Sequence, residues 1–87
     1  MAESAGQLLY EFSEALVGQD GTLYLVRVFG RARSDGTWEA WLEFSAPGGR
    51  TYRTPRETTQ STADGVRYWA SGLQPTYLEG ALARALR

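Results

Sequence analysis

Along residues 36–44, apolar and polar side chains take turns. Trp38, Ala40, Leu42 and Phe44 share one parity, while Glu39, Trp41 and Glu43 share the other. A period of two sorts such sets onto opposite faces of a pleated strand. Asp35-Gly36 stands before the run and Pro47-Gly48-Gly49 after it, so turn-forming residues bracket it on both sides. The pattern predicts the central strand of an antiparallel sheet. Residues 22–33 alternate in the same way, with Tyr24, Val26, Val28, Gly30 and Ala32 against Leu23, Leu25, Arg27, Phe29, Arg31 and Arg33. If Ser34-Asp35-Gly36 forms the loop, Ala32 pairs with Trp38, Gly30 with Ala40, Val28 with Leu42 and Val26 with Phe44. The opposite face then carries Arg31–Glu39, Phe29–Trp41 and Arg27–Glu43. Shortening the loop to Asp35-Gly36 sets Arg33 beside Trp38, and a one-residue slip reverses the facing of a whole strand. Separation of apolar from charged residues therefore selects the longer loop. Gly30 opposite Ala40 leaves a shallow trough, predicted to seat Trp69 from a crossing helix.

The flanks follow from this register. Residues 50–56 fold back around Pro47-Gly48-Gly49, placing Tyr52 opposite Phe44 and Arg53 opposite Glu43. Pro55 lacks a ladder donor, so an edge strand ending near Thr54 is expected, and residues 56–60 read as a polar exit without a clear period. Residues 7–17 fit two templates. Leu8, Tyr10, Phe12 and Leu16 alternate, whereas Leu8, Leu9, Phe12, Ala15 and Leu16 form a helical stripe. Gln19-Asp20-Gly21 has the form of a hairpin loop closed by a left-handed glycine, which favours a strand. That reading sets Phe12 opposite Val28 and Leu16 opposite Tyr24, and leaves Glu14 on the apolar parity. Residues 61–72 predict a helix capped by Ser61 with Asp64 as its partner, and closed by Gly72 in the left-handed region. Val66, Trp69, Ala70 and Leu73 make its stripe. Pro75 opens a second helix at its first position, with Tyr77, Leu78, Ala81, Leu82, Ala85 and Leu86 on one side. The expected fold is α+β, an antiparallel four-stranded meander with two C-terminal helices packed on one face. Its core is expected to contain Val26, Val28, Trp38, Leu42, Phe44, Trp69, Leu78 and Leu82. A helix at residues 8–17 gives the alternative αβββα layout.

Composition narrows the chemistry. A chain of 87 residues holds one modest core and buries only ~60–65% of its unfolded surface. Residues 7–87 are expected to form the domain and residues 1–6 a frayed tail. The sequence has no Cys and no His, which removes disulfides, thiolate nucleophiles, Cys/His zinc sites and imidazole acid–base groups. No cofactor, metal or catalytic role is expected. Nine Arg, no Lys and ten acidic residues give a net charge of −1, against the cation surplus that non-specific nucleic-acid binding needs. No apolar run approaches the ~18 residues of a membrane span, and nothing reads as a signal peptide. A cytoplasmic location is expected.

Three groupings are candidates for function. The polar cluster of Arg53, Arg56, Glu57, Thr58, Thr59 and Gln60 offers hydroxyls and guanidiniums beside a helix start, a possible anion site built on Arg53, Arg56, Thr58 and Thr59 or simply a solvated loop. Glu39, Glu43 and Glu57 form a carboxylate set, two of them neutralised by neighbouring Arg. The third grouping is the outer sheet face: Leu25, Arg27, Phe29, Arg31, Glu39, Trp41, Glu43 and Arg53. Helices cover only one side of such a sheet, and an aromatic patch with an Arg rim has the anatomy of a binding surface for a protein partner or a second copy; the alternatives are an ordinary cross-strand Phe29–Trp41 pair and partial cover by the N-terminal segment folding back. The segments 36–43 and 52–60, with Tyr68-Trp69-Ala70 and Tyr77-Leu78-Glu79-Gly80-Ala81-Leu82, resemble a family of small uncharacterised bacterial proteins. That resemblance implies no established activity. In its αβββα form the layout also resembles double-stranded-RNA-binding domains, but their last helix starts Lys-rich and here that region reads Thr62-Ala63-Asp64-Gly65.

Overall fold

The computed structural model describes residues 6–87 of the chain. Eight elements follow in order: β1 (Gln7–Glu11), β2 (Leu16–Val17), β3 (Leu23–Ala32), β4 (Trp38–Ser45), β5 (Thr51–Arg53), β6 (Thr58–Gln60), α1 (Ala63–Ser71) and α2 (Pro75–Leu86). The sheet is antiparallel and open, in the order β1-β3-β4-β5, with β2 pairing to β3 and β6 to β4. Because β1 and β2 share one side of β3, and β5 and β6 share one side of β4, the six strands occupy four positions of a meander. The strands at residues 7–17 remove the αβββα alternative.

At the centre, β3 and β4 pair from Leu25–Ser45 through Val28–Leu42 to Ala32–Trp38, the register that charge segregation selects. Arg33 N–H donates to the Thr37 carbonyl at 2.7 Å, which closes the loop around Ser34-Asp35-Gly36, and Gly36 has φ +89°. Asp35 helps fix that loop by accepting from the Thr37 amide at 3.0 Å and its hydroxyl at 2.6 Å. Val26, Val28, Ala40, Leu42 and Phe44 face the helices and are fully or almost fully buried, together with Val66, Ala70, Leu78, Ala81 and Leu82. Each large aliphatic side chain withdrawn from water contributes about 1.5–3 kcal/mol. Trp38 and Trp69, expected inside, are only half-buried and pack against the margin of this cluster. Pro75 stands at the first position of α2 as expected, behind Gln74 as N-cap.

The edges depart from the expectation in four places. First, residues 7–17 do not form one strand. Leu16 pairs with Tyr24 as expected, but Tyr10 rather than Phe12 faces Val28, and a bulge lies between Leu8 and Tyr10. The ladder breaks between β1 and β2, which leaves Glu14 exposed to solvent; a continuous strand would have driven that carboxylate into the core. Second, the bulge turns Leu9 inward, and Leu9 rather than Trp69 fills the trough over Gly30: a Cβ at Gly30 would lie 2.8 Å from Leu9 Cδ1 and 2.8 Å from the Glu39 carbonyl oxygen. Third, the ladder does not end at Pro55. Thr54 N–H donates to the Leu42 carbonyl at 3.0 Å and Glu57 N–H to the Ala40 carbonyl at 2.8 Å, and β6 then pairs Thr58 with Ala40 and Gln60 with Trp38. The chain bulges over Pro55 and resumes pairing. Fourth, Thr62 and not Ser61 caps α1, its hydroxyl accepting from Gly65 N–H at 2.9 Å, while Asp64 turns to Arg67 at 2.6 Å. Gly72 closes the helix at φ −97°, outside the left-handed region.

The tail expected at residues 1–6 lies outside the described residues except for Gly6, whose backbone runs against the indole of Trp41.

Filling the space above Gly30 is expected to strain the sheet. Gly30→Ala should lower stability by about 1–3 kcal/mol through overpacking, and Leu9→Ala by about 2–5 kcal/mol through a cavity. In urea denaturation the double variant should lose less than the sum of the two, since Leu9→Ala relieves the side-chain contact and leaves only the one with the Glu39 carbonyl.

Candidate functional site

The outer face of the sheet is set by the parity of β3 and β4. Cross-strand pairing lays its side chains in rows. Leu8, Phe29 and Trp41 form one row. Glu11, Arg27, Glu43 and Arg53 form the next, alternating in sign across four strands. Arg31, Glu39 and Thr59 form a third on the other side of the aromatic row. Leu25, with Ser45 and Thr51, and then Leu23 with Val17 complete the surface at the far end.

Trp41 corrects the expectation of an exposed aromatic anchor. It is 2% exposed, although it lies on the side away from the helices. The Arg53 guanidinium carbon sits 4.0 Å from the ring centroid and that of Arg31 5.4 Å away. A Cβ at Gly6 would lie 2.7 Å from the far corner of the indole, so glycine alone lets the backbone pass so close. The indole N–H donates to Glu43 Oε2 at 3.0 Å. Two cations over the ring, a closely placed backbone and an indole hydrogen bond hold the ring in place, each cation–π contact adding about 0.5–2 kcal/mol. Phe29 is half-buried beside it. The apolar surface left open consists of Leu8, Val17, Leu23 and Leu25, the last three each more than half exposed.

The charges of this face are partly engaged. Arg31 Nε meets Glu39 Oε2 at 2.7 Å, and Arg56 approaches the same carboxylate at 3.9 Å. The Arg31 hydrogen bond holds the Glu39 carboxyl below its usual range. Glu43 stands in register between Arg27 and Arg53 as expected, yet its carboxylate serves the Trp41 indole. Arg27 reaches Ser45 Oγ at 3.3 Å, and its Nε is buried with no hydrogen-bond partner among the described residues. A buried donor left without an acceptor costs about 1–3 kcal/mol.

The anion cluster does not assemble. Arg53 is committed to Trp41 and Arg56 to the side of Glu39. Thr59 faces Glu39 across the ladder, whereas Thr58 pairs with Ala40 on the opposite parity and accepts from Gln60 Nε2 at 2.8 Å. A carboxylate stands where an anion would need to sit.

Glu57 leaves this group altogether and forms a cluster that the sequence reading missed. Its side chain is 6% exposed and ties the β5–β6 connection to α2. Tyr77 donates its hydroxyl to Glu57 Oε1 at 2.5 Å, and Arg84 donates through NH2 to Oε1 at 2.6 Å and through Nε to Oε2 at 3.2 Å. Burial pulls the Glu57 carboxyl up, but the bonds from Arg84 and Tyr77 outweigh it and leave the group below its usual range. The Tyr77 hydroxyl is pushed up to about 12 by burial and by the carboxylate it serves. Tyr77 and Arg84 stand seven residues apart on one helix face, the available signal for their convergence. The arrangement is a brace. A groove of about 510 Å³ lined by Val17, Tyr24, Leu82 and Leu86 lies elsewhere, between the β2–β3 hairpin and α2.

No family model, curated protein or solved structure matches the chain.

The Glu57 brace should give stability two pH limits. A carboxyl whose value is lowered on folding stabilises above about 4.5 and loses that contribution as pH falls through its folded value. A phenol raised from 10.0 to about 12 stabilises fully below 10 and loses it as pH climbs toward 12. Melting curves across pH should show Glu57→Gln with a weaker acid decline than the parent, and Tyr77→Phe with a weaker alkaline one. At neutral pH each is expected to cost about 1–3 kcal/mol, the worth of hydrogen bonds to charged groups.

Proposed function

We propose that this protein is a non-catalytic, cytoplasmic interaction module whose outer sheet face docks a protein surface of matching, alternating charge. One observation carries the reading. The helices bury only one side of the sheet, and the other side combines an immobilised aromatic row, rows of alternating Arg and Glu, and open leucines. A solvated antiparallel face is ordinarily polar throughout. Trp41 then works as a rigid base under the surface, with Leu23, Leu25 and Val17 as contact residues and Arg27, Arg31, Glu39, Glu43 and Arg53 setting register. Charge complementarity of that kind fixes orientation and excludes wrong partners more than it adds affinity. The carboxylates that might have served acid–base chemistry support the same reading, since Glu39 and Glu57 are taken up by Arg and Glu43 by the Trp41 indole.

Photo-crosslinking tests this in the expressing cell. A crosslinker in place of Leu25 should capture a discrete protein product, and one in place of exposed Ser71 on α1 should not. Leu23→Asp, at a position 54% exposed, should remove the product with little change in melting temperature, because exposed substitutions usually move stability by under about 0.5 kcal/mol. Equal capture at both positions, or none at either, refutes the proposal.

A further inference from the structure

The rows of the outer face carry an internal symmetry. In the strand order β1-β3-β4-β5, the row through Arg27 reads Glu11, Arg27, Glu43, Arg53, which is negative, positive, negative, positive. In the row of Arg31 the two central strands read positive then negative, Arg31 then Glu39. The Arg27 row changes sign across all four strands when reflected through the boundary between β3 and β4, and the Arg31 row does so at its two central members. Such a pattern is complementary to itself. A two-fold axis running parallel to the strands, between β3 and β4 and just above the face, lays β3 of one copy over β4 of the other at the same level. Arg27 of each copy then meets Glu43 of the other, Arg31 meets Glu39, and Glu11 meets Arg53. The same operation sets Phe29 of each copy over the Trp41 position of the other.

From this antisymmetry of charge we propose that the partner of the outer face is a second copy of the chain, stacked face to face about that two-fold axis. The inference rests on the interaction reading above and names its partner. Closed two-fold pairing is the commonest assembly of identical chains and requires this self-complementarity. Twisted sheets stack with their strands about 30° apart, so the match is closest at the middle of the face, where the Phe29–Trp41 row lies between the two charged rows. Size is sufficient. Four strand positions at roughly 4.8 Å and the ten residues of β3 at roughly 3.3 Å define about 600 Å² per copy, or about 1,200 Å² in all, the lower end for specific interfaces. A reversible dimer that weakens with salt is the form expected of such a contact.

Charge reversal with recombination is the test, using Arg31 and Glu39 because Arg31 lies half exposed, is the farther of the two guanidiniums over Trp41, and neither residue holds the indole hydrogen bond. Arg31→Glu makes both central members of that row negative, and Glu39→Arg makes both positive. Sedimentation equilibrium should show the parent as a dimer and each variant alone weakened at least about tenfold, equivalent to about 1.4 kcal/mol. Circular dichroism and melting establish that both variants remain folded. An equimolar mixture of the two should regain parental association as a heterodimer, because every repelling pair across the interface becomes an attracting one. A monomeric parent at all concentrations, or variants that associate unchanged, or a mixture that does not recover, overturns the two-fold stack. The crosslinked product separates this failure from that of the broader reading. A product joining the chain to a different protein leaves the docking face standing without self-association, and no product from position 25 removes both.

Discussion

The ladder between β3 and β4 is the constraint on which the rest of the structure depends. Eight residue pairs run without a slip from Leu25–Ser45 to Ala32–Trp38. Register in a two-sided sheet is an all-or-none property, since a shift of one residue exchanges the faces of a strand. In this chain the exchange would carry Glu39, Glu43 and Trp41 under the helices and bring Leu42 and Phe44 to the outside. Burying two carboxylates far from partners costs more than a domain of this size can lose, so the alternatives to the observed register are remote. Every other element is positioned against this pair. α1 and α2 lie where Val28, Leu42 and Phe44 leave apolar surface, and the outer rows align because the inner ones do.

Deviations gather at the edges, where the sheet can absorb them. The break at residues 12–15 and the bulge at Leu9 let β1 satisfy two demands that a straight strand could not, keeping Glu14 in water and filling the space over Gly30. Pro55 plays the matching part on the other side. It interrupts pairing, yet the buried Thr54 stabilises the gap by accepting from Leu42 N–H at 3.1 Å and donating to the Pro55 carbonyl at 2.8 Å. β6 then resumes on β4 with two residues of slack taken up by the bulge. This places Glu57 inward, within reach of α2, and so couples an edge irregularity to the packing of the last helix.

The central register was legible because two independent signals agreed. Gly36 and Gly48 sit where hairpins need positive φ, and parity separated charge from apolar residues at every pair. β6 was not legible because Thr58-Thr59-Gln60 carries no apolar alternation; its place comes from carbonyls and amides on β4, which no side-chain pattern reports. The kink at residues 12–15 did leave a trace, since Glu14 fell on the wrong parity, a local conflict of the kind that marks a departure from regular structure. The burial of Trp41 was written in its neighbours. Arg31 and Arg53 flank it diagonally, within the reach of long side chains across a sheet, and an aromatic ring between two such residues is placed to be covered. Strand parity puts the residues named for the outer face on one side of the sheet; it also keeps Arg53 and Thr59 there and sends Thr58 to the other, which with the Arg53–Trp41 and Arg56–Glu39 contacts separates the anion cluster.

An aromatic side chain on a solvent-facing sheet is usually a loose end, free to rotate and poorly suited to recognition. Here Trp41 is clamped by Arg53 above, by the Gly6 backbone at its edge and by Glu43 at its indole nitrogen. The entropy of the ring is lost on folding rather than on binding, and the guanidiniums that cover it are held over a fixed platform. Ordering two long Arg side chains in advance removes about 0.5–1.5 kcal/mol each from the cost of association. The face is therefore organised on folding, with its residues on a grid set by strand spacing and by the pleat, although the Arg53 guanidinium leans from its own row onto Trp41. A second sheet offers the same strand spacing and pleat. In the proposed stack the two faces therefore meet with matching strand spacing, whatever the sign pattern of their charges.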